Sequence, residues 1–224
     1  SEMCIRDSTV TDDAEGDVTS TTDASGIDDA AILAAMTRQT GEIQQVPTAV
    51  SAIKINGQRA YAKVRAGEDV VLQPRAVTVS RFEATETRRH DEVIDVDVEI
   101  TCSSGTYVRA LARDVGADLG VGGHLTALRR TRIGPFDLTA ACPDIFADDA
   151  GAPAPMTMAE AARLSFPVVE VTDDQEAAIR VGRRVDMIVP ADVTAMIAGT
   201  GEMLALYRPD DERRGQSRAI CVLV

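Results

Sequence analysis

Residues 95–132 read DVDVEITCSSGTYVRALARDVGADLGVGGHLTALRRTR, and the spacing of the apolar residues changes once along that run. Val96, Val98 and Ile100 alternate with Asp97, Glu99 and Thr101, the pattern of a strand with one face buried. Ser103, Ser104 and Gly105 interrupt the alternation. From Thr106 the spacing turns helical, with Val108, Leu111, Ala112, Val115 and Leu119 on one face. Gly120, Gly122 and Gly123 are expected to end the helix. Tyr107 and Arg109 therefore fall in the first helical turn, directly after a strand. Arg109 shares the apolar side of that turn with Val108, Leu111 and Ala112, so its head should be shielded from water. A guanidinium there needs a carboxylate partner, because an unpaired buried charge is costly.

Working outward, residues 77–83 and 93–101 read as two antiparallel strands joined by a charged turn at 87–92, and residues 126–133 as another strand. Upstream, a short helix begins at Asp28, carries Ala31, Leu33, Ala34 and Met36, and stops before Gly41. Asp12, Asp13, Asp17 and Asp23 sit in a Thr/Ser/Gly-rich stretch and read as solvated turn residues. Downstream, Thr157 and Glu160 form a capping-box pattern before a helix at 158–164. Strands are expected near 168–171, 203–207 and 219–224, and a helix near 173–181. This order of elements implies a mixed α/β sheet.

The chain of 224 residues can bury a sizeable core without staples. Its four cysteines, Cys4, Cys102, Cys142 and Cys221, are far apart and form no C-x-x-C pair, the pattern of reduced thiols in a cytoplasmic protein. With two histidines besides, a metal site is not expected. No apolar run approaches the length of a membrane span. The net charge is −13, but it is uneven. Residues 51–75 hold five basic against two acidic side chains, and so do residues 102–136. Two basic strips on an acidic body suit phosphate contact with weak long-range steering.

Three motifs carry a family resemblance. Gly105-Thr106-Tyr107-Val108-Arg109 follows a strand. His124-Leu125 and Leu128-Arg129-Arg130 form H-L-x-x-L-R-R. Val46-Pro47, Ser51-Ala52 and Lys54 form V-P-x-x-x-S-A-x-K. Together they resemble the TruB family of tRNA pseudouridine synthases, over the chain from about residue 9 to its end. The resemblance implies an α/β (α+β) fold, a mixed, largely antiparallel sheet with flanking helices, plus a small C-terminal PUA-like β-barrel. It implies a catalytic-domain portion at 9–145, with a thumb-like RNA-binding segment at 45–75, a linker helix at 146–165 and the PUA-like domain at 166–224. Residues 1–8, SEMCIRDS, do not fit the family and read as a non-native leader outside the fold.

The reaction implied is isomerisation of uridine 55 in the T-arm loop of tRNA, without a cofactor. The partner is tRNA, and the protein is expected to be a cytoplasmic monomer without metal. By resemblance Arg109 holds the nucleophilic carboxylate ionised and oriented, and Tyr107 lines the uracil pocket. Leu128, Gly105 and Thr106 complete that pocket around a base turned out of the RNA stack. Lys54, Arg59, Tyr61, Lys63, Arg129, Arg130 and Arg132 are the expected RNA contacts.

The family's nucleophile lies in a G-x-L-D-P-x-A-x-G motif, and a stacking tyrosine also lies upstream; neither motif occurs here. The chain is therefore expected to be inactive by itself. Arg109 would then face a hydrated cleft, and Arg109→Met would be neutral or slightly stabilising. Read on residues alone, alternatives stay open. Arg109 could pair with Asp114, Tyr107 could be an ordinary core tyrosine, and Arg129, Arg130 and Arg132 a solvated edge. Residues 45–75 could be a surface loop, and the whole chain a non-catalytic RNA-binding module.

Overall fold

The computed structural model describes residues 1–48, 54–55, 58–59, 72–139 and 154–223. They form two compact units, Ser1–Arg129 and Arg130–Val224.

In the first unit, β1 (Glu2–Thr9), β2 (Val18–Thr21), α1 (Asp29–Arg38) and β3 (Gly41–Gln45) are followed by the short strands β4 (Lys54–Ile55) and β5 (Gln58–Arg59). Then come β6 (Arg75–His90), β7 (Val93–Cys102), α2 (Val108–Asp118) and β8 (Gly122–Ala127). The sheet runs β2-β1-β7-β6-β3, with β8 also paired to β1. Every one of these pairings is antiparallel. The mixed α+β, largely antiparallel class expected from the sequence is what the chain adopts.

The first correction concerns residues 1–8. They do not lie outside the fold: β1 is hydrogen-bonded to β7 on one side and β8 on the other. Met3 and Ile5 are each 1% exposed, and Cys4 is buried with them. Consecutive apolar residues suit a strand covered on both faces, and Met-Cys-Ile supplies them.

Strand β7 follows the alternation read from sequence, with Val96 and Val98 buried and Glu99 exposed. Leu111, Ala112 and Val115 of α2 and Ile32 and Met36 of α1 pack in the same core. Asp28 caps α1, its carboxylate accepting the Ala31 N–H at 2.8 Å.

Two boundaries differ from expectation. The β6–β7 hairpin turns only at Asp91-Glu92, because Asp91 adopts φ +51°, so residues 87–90, Arg88 and Arg89 among them, remain in the strand. Gly122 and Gly123 belong to β8 instead of ending α2. A Cβ on Gly122 would lie 2.3 Å from the backbone of Asp7 and Ser8, and one on Gly123 would lie 2.3 Å from the Ala112 carbonyl oxygen. The glycines let β8 press against β1 and α2 at once, a contact that no residue with a side chain could make.

The second unit holds the β9–β10 hairpin (Arg132–Ile133 and Phe136–Asp137), α3 (Met158–Ser165), β11 (Val168–Glu170), α4 (Asp173–Arg180), β12 (Thr194–Ile197), β13 (Met203–Pro209) and β14 (Ser217–Val222). The capping box on α3 is present, Thr157 and Glu160 each satisfying the other's backbone N–H. The sheet order is β11-β12-β13-β14, with β11 parallel to β12. Among the described residues it is an open sheet and not the closed barrel expected. It surrounds Ile179, Met196, Leu204 and Tyr207, whose hydroxyl donates to the Arg183 carbonyl at 2.6 Å.

Candidate active site

The turn between β7 and α2 begins at Ser103 and holds Gly105 at φ +87°, a conformation that favours glycine. Thr106 closes it by donating its hydroxyl to the Ser103 carbonyl at 2.9 Å. Tyr107 is the N-cap of α2 and makes no side-chain cap of its own. Both its main-chain groups are held by Gln45, the last residue of β3. The Gln45 Oε1 accepts the Tyr107 N–H at 2.8 Å, and the Gln45 Nε2 donates to the Tyr107 carbonyl at 3.1 Å.

Arg109 does not face a cleft filled by carbonyls or water. Its Nη2 lies 2.7 Å from the Asp13 Oδ2. Its side chain is 40% exposed, so the shielding expected from its apolar neighbours is only partial. Asp13, read as a solvated turn residue, is buried instead. Its other oxygen accepts from the Thr11 hydroxyl and from the Glu15 N–H at 3.1 Å. Asp13 is the buried partner that holds Arg109. Arg109 uses one nitrogen on Asp13, and a guanidinium carries five donor hydrogens, so it can hold a second carboxylate.

One helical turn on, Arg113 repeats the arrangement. It reaches Asp12 at 3.1 Å, Asp114 at 2.8 Å and the Val46 carbonyl at 2.8 Å. Asp12 has φ +58°, which lets two adjacent aspartates serve two arginines four residues apart. Burial pushes the Asp12 and Asp114 carboxyls above the usual aspartate value, opposed in both by Arg113. The alternative pair Arg109–Asp114 is replaced by Arg113–Asp114. Asp17 is exposed, and Asp23 accepts the Ser25 N–H at 2.8 Å, so for these two the turn reading stands.

Tyr107, Thr106 and Arg109 are brought together at this junction. Leu128 follows β8 and is 53% exposed. Arg129, Arg130 and Arg132 are exposed. Arg129 and Arg130 lie between β8 and β9 and not within one strand, and Arg132 opens β9. Lys54 and Arg59 are register partners in the β4–β5 pair. The Asn56-Gly57 turn, Tyr61 and Lys63 lie outside the described residues. His124 is buried, its Nδ1 3.0 Å from the Asp7 carbonyl, in line with a structural role. Among the described residues no group of three His, Cys, Asp or Glu could hold a metal ion, and no helix is long and apolar enough to cross a membrane.

Sequence reading missed Asp12, Asp13, Arg113 and Gln45. The available signal was the pairing of adjacent aspartates with arginines spaced i, i+4.

Residues 1–108 match the TruB family pseudouridylate synthase N-terminal domain, and residues 109–144 match the tRNA pseudouridylate synthase B C-terminal domain. The tRNA pseudouridine synthase B of Cutibacterium acnes is 84% identical over 216 residues, covering 96% of this chain and 73% of that protein. That of Rhodococcus jostii is 49% identical over 218 residues, covering 96% and 69%. The fold is similar to a chain in the crystal structure of a Cbf5-Nop10-Gar1 complex, with a TM-score of 0.54 and 23% identity. That match covers all of this chain and 64% of the other, so this chain spans under two thirds of the solved structure's length. The class so defined is the pseudouridylate synthases. Within it, the chain belongs to the TruB family, whose curated relatives here are tRNA pseudouridine synthases.

Proposed function

We propose that the β7–α2 junction is the base-binding and nucleophile-holding part of a tRNA pseudouridine synthase acting on uridine 55 of the T-arm loop. The observation that carries this reading is Arg109, fixed by Asp13 at the end of a strand and retaining donors for a second carboxylate. An aspartate bound there would stay ionised and oriented, as attack on the sugar or abstraction of its proton requires. Breaking the glycosidic bond, turning the base and rejoining it through carbon needs no cofactor. Tyr107, Gly105, Thr106 and Leu128 would line the uracil. The exposed state of Leu128 supports this, since an apolar side chain left in water gains by stacking on a base.

Lys54, Arg59, Tyr61, Lys63, Arg129, Arg130 and Arg132 would meet phosphates and unstacked bases. The protein acts as a cytoplasmic monomer on tRNA. The test joins the upstream segment of the Cutibacterium acnes relative to this chain and assays a T-arm stem-loop. The joined protein is expected to form pseudouridine, and Arg109→Met in it to abolish product. The 224-residue chain alone is expected to form none. Product from the chain alone would mean that one of its own aspartates attacks.

A second reading is a non-catalytic RNA-binding module, which the two net-basic stretches at 51–75 and 102–136 would serve as well. Inactivity of the joined protein together with retained T-arm binding would select it.

A further inference from the structure

Gln45 is 2% exposed, at the end of β3, and both polar atoms of its carboxamide are spent on a single residue 62 positions away. That residue is Tyr107, whose carbonyl also accepts the Leu111 N–H at 3.3 Å in the first turn of α2. The next residue, Val46, gives its carbonyl to Arg113 in the second turn. Tyr107 has no side-chain cap, so beyond the Thr106–Ser103 turn no local side chain holds the first helical N–H groups. Gln45 supplies one from a distance, and its geometry is two-point: a donor and an acceptor in one plane permit neither rotation nor slippage of the peptide they grip.

We propose that Gln45 is a positioning residue for the reaction: its carboxamide fixes the Tyr107 main chain and thereby orients Tyr107 toward uracil in RNA, and sets the start of the helix that carries Arg109 two residues on. This inference rests on the proposed role of Tyr107 in the uracil pocket. An apolar isostere at 45 would leave the half-buried Tyr107 N–H without a partner and its carbonyl with the Leu111 N–H alone, and the turn would shift to rehydrate them.

The test compares the affinity of this chain for two T-arm stem-loops, one with uracil at the target position and one abasic there. Their ratio does not depend on the fraction of protein that is folded, so general destabilisation cannot move it. Wild type is expected to favour the uracil-containing RNA. Gln45→Met is expected to reduce that preference about tenfold, the loss of one net hydrogen-bonded anchor, while abasic RNA binds as before. Amide exchange at Tyr107 should accelerate in this variant, with Val96 and Val98 unchanged. Should Gln45→Met not fold, Gln45→Glu keeps the acceptor for the Tyr107 N–H and loses the donor to its carbonyl, and it should lower the same ratio. An unchanged ratio in a folded variant overturns the proposal for Gln45 alone. A wild-type chain that binds both RNAs equally overturns the pocket assignment of Tyr107 and this inference with it.

Discussion

Asp13 and Arg109 meet at 2.7 Å across an asymmetric boundary, the carboxylate side chain 10% exposed and the guanidinium side chain 40% exposed. The aspartate therefore depends on the arginine more than the reverse, because the more deeply buried charge has less water to replace a lost partner. Its burial also explains why it is tied at both oxygens.

Arg109→Met is accordingly expected to destabilise the chain, not to leave it neutral as the missing aspartate motif alone suggested. The loss should be about 2 kcal/mol by urea unfolding, the scale of leaving a buried hydrogen-bonded charge without its partner. Adding Asp13→Asn should recover part of it, since the second change removes the stranded charge. Additive losses in the double variant would show that the two side chains do not interact.

Much of this site was legible because two periods meet in residues 95–132. The alternation through Ile100 and the helical spacing from Val108 place Tyr107 and Arg109 without any long-range information. The arginine's partner was not legible. Asp13 stands 96 positions earlier, beside three other aspartates of similar local context, and only the path of β1 between β7 and β8 carries it to α2. Residues 1–8 do not fit the family pattern, yet pairing on both edges makes them a core strand. Gly122 and Gly123 were read as breakers because sequence displays the flexibility of glycine and not the space it frees. Gln45 gave no signal at all, since a polar residue ending a strand ordinarily faces water.

The glycine contacts give a prediction of their own. Gly123→Ala would bring a Cβ to 2.3 Å from the Ala112 carbonyl oxygen, where backbone and not a flexible side chain must move. The expected loss is about 3 kcal/mol, the upper part of the range for overpacked sites. Gly26→Ala, where nothing lies within 4 Å of the added atom, should stay within about 0.5 kcal/mol of wild type. Equal losses at the two positions in urea unfolding would mean that β8 does not pack this closely.

The exposed arginines after β8 bear on RNA. If Arg129 and Arg130 meet phosphates, affinity for a T-arm stem-loop should fall with salt, and replacing both by Ala should reduce the slope of log affinity against log salt by about 1.5. An unchanged slope in the double variant would remove them from the phosphate contacts, while a changed uracil preference with an unchanged slope would assign them to the base.

The acid behaviour of the first unit should have two limbs of opposite sign. Burial raises the Asp12 and Asp114 carboxyls above 3.8, the ordinary aspartate value. A carboxyl with a raised folded value binds its proton more readily folded than unfolded. Between 3.8 and the raised value the folded state therefore holds more protons, and stability increases as pH falls through that window. Asp7 and Asp97 act the other way. Hydrogen bonds from Arg6 and Arg88 hold them below 3.8, so the stability they contribute is complete above 3.8 and is lost as pH falls through their folded values. The urea midpoint should thus rise on acidification from neutral pH, pass a maximum near 3.8, and fall below it. Asp12→Asn combined with Asp114→Asn should flatten the upper limb and leave the lower one, whereas Asp7→Asn should do the reverse. An upper limb unchanged in the first variant would show that Arg113 compensates the burial of both carboxylates, and the chain would then carry Asp12 and Asp114 as an ordinary ionised pair.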